Sequence, residues 1–306
     1  MPLNLSKSQI AFLNNQYMQI SAILSDYDGT LSPTAYLSSD NKTGSLTKHY
    51  HNQLDLDRFL WEISSRRTIA ILSTKDFNFL HNRTRFANII SCIMSIETIV
   101  LKHIDSITCY RNSCIQNCML NTDVKILRKN SQKLESISEN ISLNFKNVSI
   151  NRKLTFKNNL LAGITIDWRH LNNWNSIKKK IEESVLKISN EINNSSEYPL
   201  FVQTYSSHPF VDIYSIMCSK EIAYDKIVKL FHDLKFNRTK NKNILYLGDS
   251  ENDNPAFRKA DVSIGVRSDE RLYPKLDCQY LINFSQLPKF LKNLLKNDLN
   301  FTEKLL

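Results

Sequence analysis

The chain of 306 residues is poor in glycine, proline and cysteine, with five, seven and six of each. So few cysteines in a chain of this length argue against a disulfide scaffold. No run of about eighteen apolar residues is present, which excludes an evident membrane-spanning helix. The N-terminus also lacks the basic and apolar regions of a secretory signal. We therefore expect a soluble, cytoplasmic protein with no membrane partner.

The cysteines also lack the spacing of a zinc site. Cys109, Cys114 and Cys118 are close in sequence, but they do not form paired Cys-x-x-Cys motifs. We expect free thiols here, with a metal role as the alternative.

The net charge of +10 favours anionic partners, which include nucleic acid, membrane surfaces and phosphorylated substrates. No run of five basic residues occurs. Lys178, Lys179 and Lys180 alternate with apolar residues at helical spacing, which indicates a solvated helix face. Nucleic-acid binding is therefore not expected as the main role, whereas a phosphorylated substrate fits the charge.

Residues 24–31 read Leu-Ser-Asp-Tyr-Asp-Gly-Thr-Leu and follow a short apolar run that predicts a buried strand. Asp26 and Asp28 thus lie at the carboxyl end of a strand, where ligands bind in parallel α/β sheets. Their charges repel unless a cation lies between them, and Mg²⁺ prefers such oxygen ligands. A plain turn is the alternative. A calcium loop is excluded because its twelfth position is Leu37 instead of glutamate.

A second acidic cluster follows about 220 residues later. Residues 244–253 read Ile-Leu-Tyr-Leu-Gly-Asp-Ser-Glu-Asn-Asp, again an apolar strand followed by glycine and carboxylates. A helix beginning after Gly248 places Asp249 and Asp253 on one face. Taken alone, this segment is also consistent with a simple capped helix.

Together, residues 26–30 and 248–253 resemble the motifs of haloacid dehalogenase-like phosphatases. The resemblance implies that Asp26 is a nucleophile that forms an aspartyl-phosphate, and that Asp28 is the general acid and then the base. It implies a Mg²⁺ cofactor held by Asp26, the backbone carbonyl of Asp28, and Asp249, with Asp253 supporting the metal shell. Gly29 belongs to the expected phosphate-binding loop.

The family also has a serine or threonine after its second strand to hydrogen-bond the phosphoryl group. The apolar run 68–72 predicts that strand, and Ser73 or Thr74 then fills the role. Ser73 is preferred here. The Thr74-Lys75 pair departs from the common Gly-Arg form and resembles mannosyl-phosphoglycerate phosphatases, so Lys75 is a candidate substrate contact.

A lysine near the phosphate completes the expected site. Lys220 follows an apolar strand and opens the amphipathic pattern of residues 222–234, which matches the family's lysine segment except that Glu221 replaces a glycine. A solvated surface lysine is the alternative. We predict that Lys220 offsets charge beside Asp26.

The expected fold class is α/β, with a Rossmann-like core and an inserted α/β cap of the C2 type. We predict a discontinuous core of residues 1–92 and 209–306, with the cap at 93–208. Patterns predict a loop over 32–54 and helices over 55–66, 124–142 and 172–193, while residues 159–169 read as antiparallel strand.

Within the predicted cap, residues 163–169 resemble a strand of trehalose-6-phosphate phosphatases that faces the sugar. Asp167 and Arg169 are therefore candidate substrate contacts, as is Asp212 in the strand before Lys220. The alternative is that Asp167 and Arg169 simply pair at the surface.

The sequence thus predicts a Mg²⁺-dependent phosphatase of a phosphorylated sugar, with trehalose-6-phosphate as first substrate. A mannosyl- or glucosyl-3-phosphoglycerate is the alternative substrate, and a phosphomutase is disfavoured. A non-catalytic subunit of a glycosyltransferase complex is the alternative from another class. The sequence does not decide between a monomer and a homodimer.

Overall fold

The described residues form two main β-sheets, a short two-stranded pair of the first strand with the last, and the helices that pack against them. The strands are β1 (Met18–Gln19), β2 (Ala22–Ser25), β3 (Thr68–Leu72), β4 (Ile89–Cys92), β5 (Glu97–Ile104), β6 (Asn112–Leu120), β7 (Ser149–Leu154), β8 (Leu161–Asp167), β9 (Phe201–Thr204), β10 (Phe210–Tyr214), β11 (Ile244–Gly248), β12 (Val262–Arg267), β13 (Tyr280–Asn283) and β14 (Asn300–Phe301).

The helices differ widely in length. They are α1 (Thr43–Arg66), α2 (Phe77–His81), α3 (Val124–Asn144), α4 (Trp174–Asn194), α5 (Lys220–Asp233), α6 (Asn254–Phe257) and α7 (Leu287–Lys296). The computed structural model describes residues 17–32, 43–104, 112–171, 174–194, 196–206, 208–233, 243–267 and 275–306.

The larger sheet has eight strands in the order β13-β12-β11-β2-β3-β4-β5-β6. Neighbouring strands from β13 to β4 are parallel, and β5 and β6 are antiparallel additions at one edge. Every residue of β2, β3 and β11 is buried. Continuous burial is typical of parallel strands covered on both faces, and it explains why these segments read as short apolar runs.

The smaller sheet has four antiparallel strands in the order β7-β8-β10-β9. Alternate residues such as Ile164, Ile166 and Val211 pack in one core with buried residues of α3 and α4. The opposite face is polar and carries the side chains of Lys153 and Asp212. This alternation is the pattern of a sheet with one apolar face.

Strand membership differs from the domain boundaries that we predicted at residues 92 and 208. Strands β5 and β6 hydrogen-bond within the eight-stranded sheet, and β10 belongs to the four-stranded sheet. Residues 17–120 and 220–306 therefore contain the strands of the larger unit, and 124–214 those of the smaller one. The pattern of an antiparallel strand is local, so it does not reveal which sheet the strand joins.

The helices also correct parts of the sequence prediction. Helix α1 begins at Thr43, so residues 43–54 are helical where we expected a loop, and residues 33–42 of that loop lie outside the described chain. Helices α3 and α4 agree with the predicted helices within a few residues. Across the described ranges, no helix is both long and apolar enough to cross a bilayer.

Candidate active site

Two acidic segments meet at the carboxyl edge of the larger sheet. Strand β2 pairs with β11 in parallel, and the backbone N–H of Asp26 donates to the carbonyl of Leu247 at 2.9 Å. One carboxylate oxygen from each of Asp26, Asp249 and Asp253 lies within 4.8 Å of the other two. Residues separated by more than 220 positions thus form one cluster, as the repeated strand-then-acid pattern predicted.

The loop after Asp26 is shaped by Gly29. Its φ of +85° is in the left-handed region, where glycine is favoured. A Cβ at this position would lie 2.0 Å from Oδ2 of Asp249. The neighbouring Thr30 donates its hydroxyl to Oδ1 of Asp249 at 3.2 Å. The Asp-Gly-Thr turn therefore positions the carboxylate of Asp249 directly.

Asp253 is completely buried, and protein donors satisfy both of its carboxylate oxygens. Oδ1 accepts hydrogen bonds from Lys220 at 2.5 Å and from the hydroxyl of Tyr246 at 2.6 Å. Oδ2 accepts the N–H groups of Asp249 and Ser250 at 3.2 and 3.0 Å, and the Ser250 hydroxyl at 2.9 Å. With its lone pairs occupied, Asp253 organises the turn and leaves metal ligation to its neighbours.

Lys220 is the cation of this cluster. It opens helix α5, is almost fully buried, and places Nζ 3.0 Å from Oδ2 of Asp26 and 2.5 Å from Oδ1 of Asp253. Burial acts to lower the pKa of Lys220, but the carboxylates of Asp253 and Asp26 outweigh it and leave that pKa raised. Lys220 is therefore firmly charged, and it is not the solvated surface lysine of the alternative interpretation.

Together, the carboxylates of Asp26, Asp249 and Asp253 can carry more negative charge than the ammonium of Lys220 balances. Burial, opposed by Lys220 and reinforced by Asp253 and Asp28, raises the pKa of Asp26 to about 7. Burial and the charge of Asp26 raise the pKa of Asp249 well above its usual range, although part of its surface is exposed. A hard divalent cation would relieve this repulsion, and clustered carboxylate oxygens are the donors that Mg²⁺ prefers. Asp26 and Asp249 thus fit the predicted metal.

We expect that Gly29→Ala weakens Mg²⁺ binding by about tenfold or more, the typical effect of disturbing groups that orient metal ligands. The new methyl group would displace the Asp249 carboxylate. Isothermal titration with Mg²⁺ alone measures the effect. Gly163→Ala is the control, because its Cβ would meet Tyr214 and the carbonyl of Ile213 within the four-stranded sheet. Equal weakening in both variants would contradict the role of Gly29.

The residues after β3 lie at the same sheet edge. Ser73 is buried, and its hydroxyl accepts the N–H of Lys75 at 3.2 Å. Thr74 is partly exposed, so the preference for Ser73 over Thr74 as phosphate ligand stays a prediction. Lys75 places Nζ 4.0 Å from Oδ2 of Asp28, and both side chains are about one-third exposed, at 35% and 38%. Asp28 thus lies toward solvent, whereas Asp26 is buried.

The polar face of the smaller sheet contains a buried hydrogen-bond network around Asp212. The carboxylate accepts Lys153 Nζ at 2.6 Å, the Thr165 hydroxyl at 2.5 Å and the Tyr205 hydroxyl at 2.8 Å. Burial acts to raise the pKa of Asp212, but the Lys153 ammonium outweighs it and holds that pKa below its usual value. Asp212 is therefore engaged by protein donors, and its role as a substrate contact stays a prediction.

The other two cap candidates contact each other. Arg169 donates through Nε to Oδ2 of Asp167 at 2.6 Å and through its N–H to Oδ1 at 3.0 Å, and its guanidinium lies 5.3 Å from the Phe210 ring centroid. The two residues thus pair with each other, as in the alternative interpretation, although Asp167 is buried instead of lying at the surface. Their role in binding a substrate stays a prediction.

Sequence reasoning missed several residues that support the site. Thr30 and Tyr246 contact Asp249 and Asp253, and Lys153 pairs with Asp212. A tyrosine within a buried strand, as at Tyr246, signals a nearby polar partner for its hydroxyl. Lys153 gave a weaker signal, because a lysine on an alternating strand usually faces solvent. Of the three clustered cysteines, Cys118 donates to Glu97 at 3.4 Å, whereas Cys109 lies outside the described residues.

Solved structures share this architecture across nearly the whole chain. A trehalose-6-phosphate phosphatase related protein is 14% identical, with a TM-score of 0.55, and the match covers 91% of this chain and 98% of that one. The C-terminal domain of the C. albicans trehalose-6-phosphate phosphatase is 18% identical, with a TM-score of 0.57 and coverage of 94% and 98%. A haloacid dehalogenase-like hydrolase from Bacteroides thetaiotaomicron is 12% identical, with a TM-score of 0.54 and coverage of 91% and 100%.

The chain has the haloacid dehalogenase-like fold. The predicted α/β fold class, with a mostly parallel sheet, is thereby confirmed. No family model matches the sequence, and no curated protein sequence matches it. At these identities the likeness is one of fold, so activity must be argued from the residues of the site itself.

Proposed function

We propose that the protein is a Mg²⁺-dependent phosphatase that hydrolyses a phosphorylated sugar through an aspartyl-phosphate on Asp26. The observation that supports this most directly is the charged cluster at the sheet edge. A buried carboxylate lies 3.0 Å from a buried ammonium, with Asp249 close by. A carboxylate attacks phosphorus only where the charge of the phosphate is offset, and this cluster provides that condition.

The proposed reaction has two steps. In the first, a carboxylate oxygen of Asp26 attacks phosphorus, the bond from phosphorus to the sugar oxygen breaks, and Asp28 gives its proton to the departing oxygen. In the second, Asp28 takes a proton from water, and the water oxygen attacks phosphorus. The bond from phosphorus to the Asp26 oxygen breaks, which releases inorganic phosphate and restores the Asp26 carboxylate. The position of Asp28 two residues beyond Asp26, on the solvent side, suits a group that exchanges protons with substrate and water.

Asp26 and Asp249, with the backbone carbonyl of Asp28, would hold the Mg²⁺. When bound, the ion supplies charge neutralisation for the phosphoryl oxygens. Lys220 contributes a fixed positive charge 3.0 Å from Oδ2 of Asp26, and Asp253 holds Lys220 in place. Ser73 or Thr74 would hydrogen-bond the phosphoryl group from the end of β3.

We further propose that the four-stranded unit, residues 124–214, is the cap. Its polar sheet face carries Lys153 and Asp212, and its edge contacts the acidic turn at residues 251 and 252. A cap over the site keeps water away until the leaving group departs. The sugar would then be recognised by this face, where Asp167 and Arg169 also lie.

Trehalose-6-phosphate is our first proposed substrate. Of the solved structures compared above, one is named as a trehalose-6-phosphate phosphatase and another as a protein related to one. A glycosyl-3-phosphoglycerate is the second, favoured by the partly exposed Lys75 beside Asp28, which suits an additional carboxylate on the substrate. Release of phosphate from a panel of sugar phosphates, glycosyl phosphoglycerates and p-nitrophenyl phosphate, with Mg²⁺ present, tests both. Absence of phosphate release from every compound would overturn the proposed function.

Metal binding should depend on pH, because the raised pKa values of Asp26 and Asp249 mean that Mg²⁺ must displace protons. In EDTA, the protonated carboxyl of Asp26 contributes to stability at low pH because its pKa is raised by folding. This contribution is lost as pH rises through about 7. The increase in Tm caused by Mg²⁺ should therefore be larger at about pH 8 than at about pH 6. Thermal melts with EDTA or Mg²⁺ measure it. An increase independent of pH would contradict the site, as would phosphatase activity that survives EDTA.

A further inference from the structure

Besides apolar packing through Leu127, Ala162 and Tyr214, hydrogen bonds join the two units of the described chain at two places that differ in burial. The first joins the turn after β7 to Glu97 and Asp76 of the larger unit. The second joins the end of β9 to Glu251 and Asn252, which lie between Asp249 and Asp253. We name these contacts the pivot and the latch.

The pivot is built around a buried carboxylate. Glu97 is fully buried, and it accepts the N–H of Phe156 at 2.9 Å, the N–H of Lys157 at 3.2 Å and the Cys118 thiol at 3.4 Å. Asp76 adds a longer contact of 3.4 Å to the N–H of Leu154. Separation here would leave a buried carboxylate without its donors, which is costly.

The latch lies nearer to solvent. Glu251 accepts the N–H of Ser206 at 2.8 Å and its hydroxyl at 2.5 Å, and Ser206 is exposed. Gln203 donates to Asn252 at 2.7 Å. Water can replace exposed hydrogen bonds at little cost, so separation at the latch is far easier than at the pivot.

Each side of the latch is fixed within its own unit. Lys178 donates to the carbonyls of Tyr205 and Ser206 at 2.6 and 2.7 Å, which ties the end of β9 to helix α4. Its ammonium is thus engaged, which corrects our prediction that Lys178 lies on a solvated face. On the other side, Glu251 belongs to the turn whose N–H groups bind Asp253. The latch therefore connects the orientation of the cap to the turn that carries Asp249.

We infer that the cap opens at the Ser206–Glu251 latch while it turns about the Glu97 pivot, and that Glu251 and Ser206 are positioning residues that set the closed state. The direction of opening follows from the contacts alone. The effect on turnover rests on the proposed phosphatase function, through exclusion of water once the cap is closed.

Amide hydrogen exchange with single-residue resolution, on the full chain with Mg²⁺, tests the direction of opening. The protection factor of the Ser206 N–H should be at least about tenfold lower than those of Phe156 and Lys157, because only the latch separates in the open state. In Ser206→Ala, which keeps the N–H but lacks the hydroxyl, protection at residue 206 should fall further, and that at 156 and 157 should not change. Equal protection at both contacts, or lower protection at the pivot, would overturn the inference.

Kinetics test the positioning role. Ser206→Ala and Glu251→Gln should lower kcat/KM for trehalose-6-phosphate several-fold more than for p-nitrophenyl phosphate, because the small aryl phosphate depends less on closure. Glu135→Gln is the control, since the Glu135–Arg152 pair lies wholly within the four-stranded unit. Equal losses on both substrates would overturn the positioning role. If the wild-type protein releases no phosphate, the proposed function fails, while the exchange experiment still decides the direction of opening.

Discussion

Asp26→Asn should abolish phosphate release, with a loss of about 10⁴-fold or more, as expected when a nucleophile is removed. Asparagine has nearly the same shape as aspartate, but its amide oxygen does not form the acyl-phosphate. The fold should persist, because Asp26 is a buried carboxyl group whose pKa is raised to about 7, so the neutral form is already tolerated. Phosphate release under saturating Mg²⁺, together with Tm, measures both effects.

Asp277→Asn is the matched control, because Asp277 is a surface carboxylate paired with Arg258 at 2.5 Å. It should keep full turnover. In EDTA at high pH, the Tm of Asp26→Asn should be slightly above that of the wild-type protein. The reason is that one of three neighbouring carboxylates no longer ionises in the variant. Retained turnover in Asp26→Asn would reject Asp26 as the nucleophile, and a large fall in Tm would mean that lost activity reports lost folding.

The sequence predicted the parts of the site that depend on local patterns. Strands β2 and β11 read as apolar runs ending in carboxylates, and their parallel pairing brings Asp26 and Asp249 together. Lys220 was selected from the resemblance to the phosphatase family together with its strand-then-helix setting, and the structure places it between Asp26 and Asp253. Strand ends in a parallel sheet meet at one edge, so a chemical group at each end is informative.

Contacts between distant antiparallel segments could not be predicted in this way. The buried pair of Lys153 and Asp212 spans 59 positions, and each residue alone reads as an ordinary polar position of an alternating strand. Glu97 is similar, since nothing in its neighbourhood shows that its carboxylate binds the N–H groups of Phe156 and Lys157. For the same reason, the local patterns of β5 and β6 did not reveal that these strands join the eight-stranded sheet.

Lys220→Met should both inactivate and destabilise the protein, because it removes the ammonium of a buried cluster while its carboxylates remain. Loss of one partner of a buried ion pair typically costs about 3–5 kcal/mol of the free energy of unfolding. Loss of a positioned charge at a developing phosphoryl centre typically lowers kcat by about 10²–10³-fold. Urea unfolding and initial rates measure the two effects.

Lys259→Met separates this result from a general effect of losing a lysine. Lys259 pairs with Asp225 at 2.6 Å and Glu221 at 3.2 Å, and all three residues are substantially exposed, so little stability should be lost. The deficit of Lys220→Met should also shrink on going from about pH 8 to about pH 5, because protonation of Asp26 and Asp249 removes the unbalanced charge. A deficit equal at both pH values would mean that Lys220 stabilises through packing of its side chain. The pH dependence therefore decides whether Lys220 acts as the counter-charge of the acidic cluster, the role on which the proposed chemistry at Asp26 depends.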